Sequence, residues 1–226
     1  IYIGGGTPTS LNELQLEKLL SFISSTLDLS NLKEYTIEAG RPDTITKEKL
    51  SIIKKYGATR ISINPQTMNE QTLKLIGRNH TAENFKEAFY YARELGHKNI
   101  NTDLILGLPK EDENSLLFTL SEIKKLNPEN VTFHTLAVKR ASKLKENFDD
   151  FTLTDPKVVE NMLAISDNFS KDMNMFPYYM YRQKNMVGGL ENVGYSKLGF
   201  EGIYNIQIME EKQTILSFGS GAVTKK

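Results

Sequence analysis

The chain has 226 residues, of which 39% are hydrophobic and 25% charged, and this suffices for the core of one large domain. Lysine plus arginine and aspartate plus glutamate each number 28, so no charge excess favours nucleic acid or an anionic membrane. The absence of cysteine agrees with a cytoplasmic protein without disulfides, and no apolar run approaches the ~20 residues that cross a bilayer. We therefore expect a globular cytoplasmic chain with no nucleic-acid or membrane partner.

The first predicted element is an apolar strand over 1–3, which runs into Gly4, Gly5 and Gly6. Glycines lack a Cβ, so a ligand can lie directly against their backbone N–H groups. An amphipathic helix is predicted over 11–27, and its N-terminus favours anionic groups. A strand, a glycine turn and a helix also follow one another for purely steric reasons, so the pattern by itself leaves both interpretations open.

Strand-like and amphipathic segments alternate along most of the chain. Further strands are predicted at 34–38, 59–63, 99–105 and 130–135, and further helices at 46–56, 69–76, 82–95, 112–126 and 155–173. This alternation with short connections predicts an α/β fold with a parallel sheet, either doubly wound or barrel-like. Polar residues follow successive strands, as they do at the active-site end of a (β/α) barrel, and this favours the barrel.

The pattern changes after about residue 176. The segments "YYMYRQ" and "GIYNIQIM" are typical of strands, and glycines recur at 188, 189, 194, 199 and 202. We therefore predict a barrel over 1–175 and a C-terminal appendage over 176–226, itself incomplete, that packs near the mouth of the barrel.

Glu38 and Gln66 are the first polar candidates. Glu38 ends the strand in "YTIEAG", where a carboxylate can pair with an ammonium group or accept from ribose hydroxyls. Gln66 follows the extended pair Asn64-Pro65, and its amide can both donate and accept hydrogen bonds. A carboxylate that caps the next loop and a glutamine on the surface are the ordinary alternatives, and the residues alone leave them open.

Arg78 and Asp103 are the next candidates. The planar guanidinium of Arg78, in "LIGRNH", suits a carboxylate, although it can equally face the dipole of the preceding helix. Asp103 precedes the apolar residues Leu104, Ile105 and Leu106, and a buried carboxylate is costly without a partner. Either a ligand or a structural partner, such as a core hydroxyl or a lysine, can satisfy it.

A ligand that is flat and rich in carboxylates would need cations and aromatic walls. The sequence offers such groups near loops and in the appendage: Arg41, Lys139, Arg140, Arg182 and Lys184 as cations, and Tyr178, Tyr179 and Tyr181 as rings. Taken one at a time, surface charge and strand packing explain these residues more simply.

The string "YIGGGTPTSL" resembles the glycine motif of radical S-adenosylmethionine (SAM) enzymes, specifically of the oxygen-independent coproporphyrinogen III oxidase family. The resemblance continues in order through "EYTIEAGRPDTIT", "RISINPQTM", "LIGRNHT", "INTDLILGLPKE", "TFHTLAVKRAS", "YYMYRQKN" and "GSGAVTK", and it covers nearly the whole chain. Several of these strings are most similar to the second type of coproporphyrinogen dehydrogenase, found in Gram-positive bacteria.

The resemblance implies a partial, open radical-SAM barrel of the TIM type, here without its first strand. It implies oxidative decarboxylation of coproporphyrinogen III propionates to vinyls, giving protoporphyrinogen IX in haem biosynthesis. It also implies SAM, a [4Fe–4S] cluster, a tetrapyrrole substrate and an electron donor. No side chain is predicted to act as an acid–base catalyst. By the same resemblance, Gly5 and Glu38 contact a first SAM, and a second SAM is contacted by Gly6, Thr7, Gln66, Arg78, Asp103 and the backbone of Ala137, with Val223 as a further contact.

One departure from the family pattern is the absence of cysteine. The family holds its cluster with a CxxxCxxC-type loop ahead of the glycine motif, and thiolates are the usual cluster ligands. His80, His97 and His134 lie in different predicted elements and have no ligand spacing, so no metal ligand is predicted in this chain. Either the chain is a piece of a longer protein or it has lost the cluster. We favour the first explanation, because the SAM-contact positions remain.

Two other functions stay open at this stage. A haem-binding or haem-delivery protein of the same superfamily would retain haem without turning over coproporphyrinogen. A generic TIM-barrel enzyme would bind phosphate at its glycine loop, but it would need a second glycine-rich loop late in the barrel, and none is evident before the appendage.

Overall fold

A computed structural model describes residues 1–137, 154–182, 189–220 and 222–225, and these residues contain one seven-stranded sheet. The first five strands are parallel, β7 is antiparallel to β5, and β6 is antiparallel to β7. The order across the sheet is β1-β2-β3-β4-β5-β7-β6. The strands are β1 Tyr2–Ile3, β2 Thr36–Gly40, β3 Arg60–Ile63, β4 Ile100–Leu106, β5 Asn130–Thr135, β6 Phe176–Tyr181 and β7 Asn192–Ser196.

The helices are α1 Glu13–Thr26, α2 Lys47–Lys55, α3 Glu70–Leu75, α4 Ala82–Glu94, α5 Glu113–Leu126, α6 Pro156–Asp172 and α7 Ile203–Glu210. Local sequence explains where several of them begin, because Asn12, Thr46 and Asp112 each accept a backbone N–H of the first helical turn. The first six helices match the predicted ranges, which their amphipathic pattern had indicated.

The hydrophobic core lies between the helices and the outer face of the sheet. Alternate strand residues such as Ile37, Ile61 and Phe133 are fully buried there, and they belong to one cluster with Leu20 of α1 and Phe89 of α4. We call the opposite face of the sheet, which carries Ser62, Asn101 and Thr132, the lumen. Parallel strands with helices on the outer face make an open α/β half-barrel, so the predicted fold class is confirmed.

The prediction of a strand at 202–209 is wrong, because Ile203–Glu210 forms the helix α7. The alternation of apolar residues in this segment imitates a strand, but a distant residue decides its conformation. The buried Glu34 carboxylate, next to β2, accepts from the backbone N–H groups of Ile203 and Tyr204 and so satisfies the helix N-terminus.

The segment that leads into α7 crosses the amino-terminal ends of the strands, away from the mouth where the appendage was predicted to pack. Asn99, just before β4, donates its side-chain N–H to the Phe200 carbonyl at 3.2 Å. The Lys197 N–H donates to the Glu129 carbonyl, just before β5, at 3.0 Å. Strands β6 and β7 extend the common sheet, and the division of the chain at 175/176 stays a prediction.

Within the described part of the chain, no helix combines the length and apolar character that a membrane crossing requires.

Candidate functional site

The loops that follow β1 to β5 meet at the carboxyl-terminal end of the sheet, where a (β/α) barrel places its active site. Several predicted site residues lie in or beside these loops: Gly5, Gly6 and Thr7 after β1, Glu38 in β2, Gln66 after β3, Asp103 in β4 and Ala137 after β5. The topology therefore gathers at one end residues that are far apart in the sequence.

A band of polar side chains crosses the lumen. Asn101 donates to the Ser62 hydroxyl at 3.2 Å and accepts from the Thr132 hydroxyl at 3.2 Å. The hydroxyls of Thr132 and Tyr179 are 3.3 Å apart, so the band continues from β3 through β4 and β5 to β6. Because buried polar groups need partners, these contacts fix the side chains on which the site is built.

Glu38 joins the glycine loop to the lumen. The Tyr2 hydroxyl donates to Oε1 of Glu38, and the Gly5 N–H donates to Oε2 at 3.3 Å. Burial raises the pKa of Glu38; the Tyr2 hydrogen bond opposes this, while the charge of Asp103 adds to it. A Cβ on Gly4 would lie 2.6 Å from Oε2 of Glu38, so a side chain there would displace the Glu38 carboxylate.

The remainder of the glycine loop is anchored to the end of β2. The Thr9 hydroxyl donates to the Ala39 carbonyl at 2.5 Å, one residue beyond Glu38. Buried Lys49 donates from Nζ to the Thr9 carbonyl at 2.8 Å and to the Thr44 carbonyl at 3.1 Å. A lysine from α2 thus joins a carbonyl that follows the glycine loop to one in the loop after β2, and holds the two segments together.

Asp103 lies on the same face of the sheet as Glu38, and it has two amide partners. Asn101 donates to Oδ1 at 2.8 Å, and Asn64 donates to Oδ2 at 2.8 Å. Burial opposes ionisation, yet the neighbouring His134, the Asn101 amide and the Arg60 charge together lower the pKa of Asp103. The carboxylate is therefore charged at neutral pH, and its structural partners are amides rather than a core hydroxyl or a lysine.

Gln66 pairs with β4 through backbone hydrogen bonds and so extends the pairing of β3 with β4 beyond the end of β3. Its N–H donates to the Asp103 carbonyl at 3.2 Å, and its carbonyl accepts from the Ile105 N–H at 2.9 Å. It is a non-glycine residue with φ of 70°, a left-handed conformation that is uncommon. The next residue, Thr67, donates to the buried Glu111 carboxylate at 2.7 Å, which fixes this turn.

Arg78 is half-buried beside Arg41 and Asp43, and burial and the Arg41 charge lower its pKa. Arg41 forms a two-pronged hydrogen bond with Asp43 at 3.2 and 3.1 Å. Arg41 is thus partly neutralised, and Arg78 has no ion pair of its own within 4 Å among the described residues. A contact from Arg78 to SAM stays a prediction.

The remaining candidate residues differ in their exposure to solvent and in their partners. Ala137 is half-buried directly after β5, whereas Val223 is 81% exposed in the C-terminal segment. Arg182 pairs with Glu191 at 3.0 Å on the surface. Lys139, Arg140 and Lys184 lie outside the described residues.

The three tyrosines line the lumen side of β6. Tyr178 accepts from the Asn205 side chain of α7 at 3.0 Å, and the Tyr181 hydroxyl lies 3.1 Å from Nδ1 of His134. The rings of Tyr179 and Tyr181 are parallel within 5°, with centroids 6.3 Å apart. They therefore pack within the strand and also present aromatic faces beside the polar band.

Sequence reasoning missed the partners of the two carboxylates, namely Tyr2, Arg60, Asn64, Asn101 and His134. A signal for most of them was present, because polar and apolar residues alternate in "RISIN", "INTD" and "NVTFHT". Strands covered by helices on one face and polar at every second residue indicate a polar lumen. Arg60 is 2% exposed, and its Nε and Nη2 have no hydrogen-bond partner among the described residues.

The chain belongs to the radical SAM superfamily, since the profile of that superfamily matches residues 1–123. It is 49% identical over 226 residues to the oxygen-independent coproporphyrinogen-III oxidase-like protein HemZ of Bacillus subtilis, covering 100% of this chain and 45% of HemZ. It is 32% identical over 223 residues to the heme chaperone HemW of the same organism, covering 98% of this chain and 56% of HemW. The chain thus spans about half the length of these relatives.

The fold is similar to that of coproporphyrinogen III oxidase HemN from Escherichia coli. The TM-score is 0.79 at 22% sequence identity, over 99% of this chain and 51% of HemN. At this identity the likeness concerns the fold alone, and the two share the open barrel.

The residues present fit SAM and do not fit an iron–sulfur cluster. A Cβ on Gly5 or Gly6 would meet nothing within 4 Å, so the backbone there faces open space beside Glu38. Bare backbone amides suit the carboxylate of SAM, and the carboxylates of Glu38 and Asp103 suit its hydroxyl and ammonium donors. The 226 residues contain no cysteine, so this chain supplies no thiolate to a cluster.

Proposed function

We propose that this chain is the SAM-binding barrel of an oxygen-independent coproporphyrinogen III oxidase. The observation that carries the proposal is the meeting of the open glycine loop, Glu38 and Asp103 on one face at the carboxyl ends of the strands. The 49% identity to an oxidase-like relative supports the choice of reaction.

In the proposed reaction two propionates of the substrate react in turn: each loses a hydrogen atom from the carbon next to the ring, then CO₂ and one electron, and a vinyl group remains. SAM, when bound, supplies the group that takes the hydrogen atom. The released electron passes to an acceptor, and the electron that SAM needs in order to take the hydrogen atom comes from a donor that we expect to be a separate partner. The tetrapyrrole and this partner are proposals, as is the cluster, whose ligands lie outside this chain.

In this proposal the chain's own residues bind and orient SAM and the substrate. Gly5 and Gly6 offer backbone N–H groups without side-chain obstruction, and Glu38 and Asp103 offer acceptors for hydroxyl or ammonium groups. The tyrosines of β6 form an aromatic wall against which a flat macrocycle can pack. Since the chemistry is of the radical type, none of these groups needs to move a proton.

The test is SAM affinity of the anaerobically reconstituted full-length protein with Gly6→Ala. An alanine Cβ at this position meets nothing within 4 Å, and Gly6 has no positive φ, so the fold should tolerate it. If SAM lies on this backbone, the added methyl group should weaken binding about tenfold or more while the melting temperature stays unchanged. Unchanged affinity would remove the glycine loop from the site.

Haem delivery is the second candidate, favoured by the 32% identity to a heme chaperone over 98% of the chain. The two functions separate in one assay with coproporphyrinogen III and haem. Conversion to protoporphyrinogen IX supports the oxidase, whereas stable retention of haem without conversion supports delivery.

A further inference from the structure

His134 stands closest to Asp103 of the basic groups that the structure describes. Its Nε2 is 3.7 Å from Oδ2 of Asp103, and no other basic side chain among the described residues lies within 4 Å of that carboxylate. His134 projects from β5 into the lumen, on the same face as Thr132, and both it and Asp103 keep about a quarter of their side-chain surface exposed.

Two amides already fix most of the Asp103 carboxylate. Asn101 occupies one acceptor position on Oδ1, and Asn64 occupies one on Oδ2. The side-chain oxygen of Asn64 also accepts from the Asp103 N–H at 3.1 Å, so Asn64 is hydrogen-bonded to both the backbone and the side chain of Asp103. Each carboxylate oxygen can accept two hydrogen bonds, so the contacts among the described residues leave one position on each oxygen.

The orientation of His134 is set from β6. Its Nδ1 lies 3.1 Å from the Tyr181 hydroxyl, and the Tyr181 ring runs parallel to that of Tyr179, whose hydroxyl contacts Thr132. A carboxylate only accepts, so the hydrogen of a neutral His134 ring belongs on Nε2, facing Asp103. Nδ1 then accepts from the Tyr181 hydroxyl.

We infer that His134 is a positioning residue for SAM: its Nε2, 3.7 Å from Oδ2, faces the second position on that oxygen and leaves the second position on Oδ1 of Asp103 for a ligand hydroxyl. This inference rests on the proposed contact between Asp103 and SAM. It also gives β6 a part in cofactor binding, because the Tyr181 hydroxyl orients the His134 ring that faces the Asp103 carboxylate. Without His134 the two amides alone set the direction of the free acceptor on Oδ1, and Oδ2 loses the one basic side chain within 4 Å of the carboxylate among the described residues.

The experiment is a double-mutant cycle on SAM affinity in the reconstituted full-length protein, with His134→Phe and Asp103→Asn. His134→Phe keeps a ring of similar size and should weaken SAM binding about five- to tenfold, and Asp103→Asn about ten- to a hundredfold. Because both act on one contact, the double variant should bind no more weakly than Asp103→Asn alone. His134→Gln, whose Nε2 can also donate, should restore affinity to within about twofold of wild type.

The results that would contradict the inference distinguish the role of His134 from that of Asp103. Additive effects, or unchanged affinity with His134→Phe, would overturn the role of His134 while Asp103 stays in the site. A fall in melting temperature with unchanged affinity would make His134 merely structural. No effect of Asp103→Asn, with normal binding, would overturn the proposed site at Asp103 and this inference together.

A second readout needs no SAM. Nitrogen-15 NMR of the imidazole reports which ring nitrogen carries the hydrogen. The wild-type chain should show His134 with hydrogen on Nε2, and Asp103→Asn should shift the ring toward a mixture of the two forms. A ring already mixed in the wild type would overturn the proposed orientation.

Discussion

At the scale of single residues, the site depends on carboxylates whose partners come from distant segments. Glu38 is satisfied by Tyr2 and Gly5, and Asp103 by Asn64 and Asn101. Such buried polar contacts contribute modestly when made and cost more when one partner is lost, because the remaining group stays desolvated. The pairs therefore constrain the geometry of the site more than they stabilise the fold.

Tyr2→Phe tests this at Glu38. The change removes the hydroxyl that donates to Oε1, so we expect a loss of about 1–2 kcal/mol in the free energy of unfolding and a further rise in the pKa of Glu38. Urea unfolding at neutral pH measures the first effect. The matched control is Tyr35→Phe, since the buried Tyr35 hydroxyl has no hydrogen-bond partner among the described residues. Equal losses in the two variants would contradict the argument.

At the scale of elements, β6 and β7 show how the appendage is built into the barrel sheet. Strand β7 was not predicted, because Gly194 interrupts an otherwise short and polar segment. In the structure the Tyr179 ring covers Gly194, and a Cβ there would lie 1.9 Å from Cε1 of Tyr179. The absence of a side chain at Gly194 thus makes room for a tyrosine of the neighbouring strand.

Gly194→Ala should therefore displace the Tyr179 ring and weaken its contact with Thr132. Overpacking of this kind costs roughly 1–3 kcal/mol, so a clear fall in the unfolding free energy is expected. Thermal unfolding followed by circular dichroism measures it. Gly6→Ala, whose Cβ has open space, serves as the control and should leave stability unchanged. A stable Gly194→Ala variant would show that the ring moves without cost.

At the scale of the whole molecule, helices seal the outer face of the sheet and leave the lumen polar. His97 follows α4 and is 4% exposed, and its Nε2 lies 3.0 Å from the Leu50 carbonyl of α2. Burial lowers the pKa of His97 below its ordinary 6.5, although the Leu50 hydrogen bond opposes this. The folded state therefore binds this proton less readily than the unfolded chain does.

The pH dependence of stability follows from the direction of the shift in the His97 pKa. A lowered folded-state pKa gives a contribution that is fully present above pH 6.5 and is lost as the pH falls through the folded-state pKa. We expect the unfolding free energy to fall below pH 6.5, by at most about 1.4 kcal/mol per pH unit from this residue. His97→Gln keeps a donor but does not titrate, so its urea-unfolding curves should depend less on pH. Parallel profiles for the two proteins would exclude His97 as the cause.

The sequence by itself determined the order of strands and helices up to β6, the open-barrel class and the superfamily. These depend on local signals: the period of apolar residues, helix caps such as Asn12 and Thr46, and the glycine motif after β1. It also placed Glu38 and Gln66 at the ends of strands and Asp103 inside one, and the carboxyl ends of parallel strands necessarily meet.

Only the tertiary structure decided which partners those residues have and what the C-terminal segment forms. The helix α7 exists because the Glu34 carboxylate, far away in sequence, pairs its first N–H groups, and no local pattern encodes that contact. The contacts from Asp103 through His134 to Tyr181 likewise join β4, β5 and β6, and sheet pairing sets their lateral order, with β7 between β5 and β6. Periodicity gives the face on which a side chain lies, whereas its partners follow from which strands are neighbours.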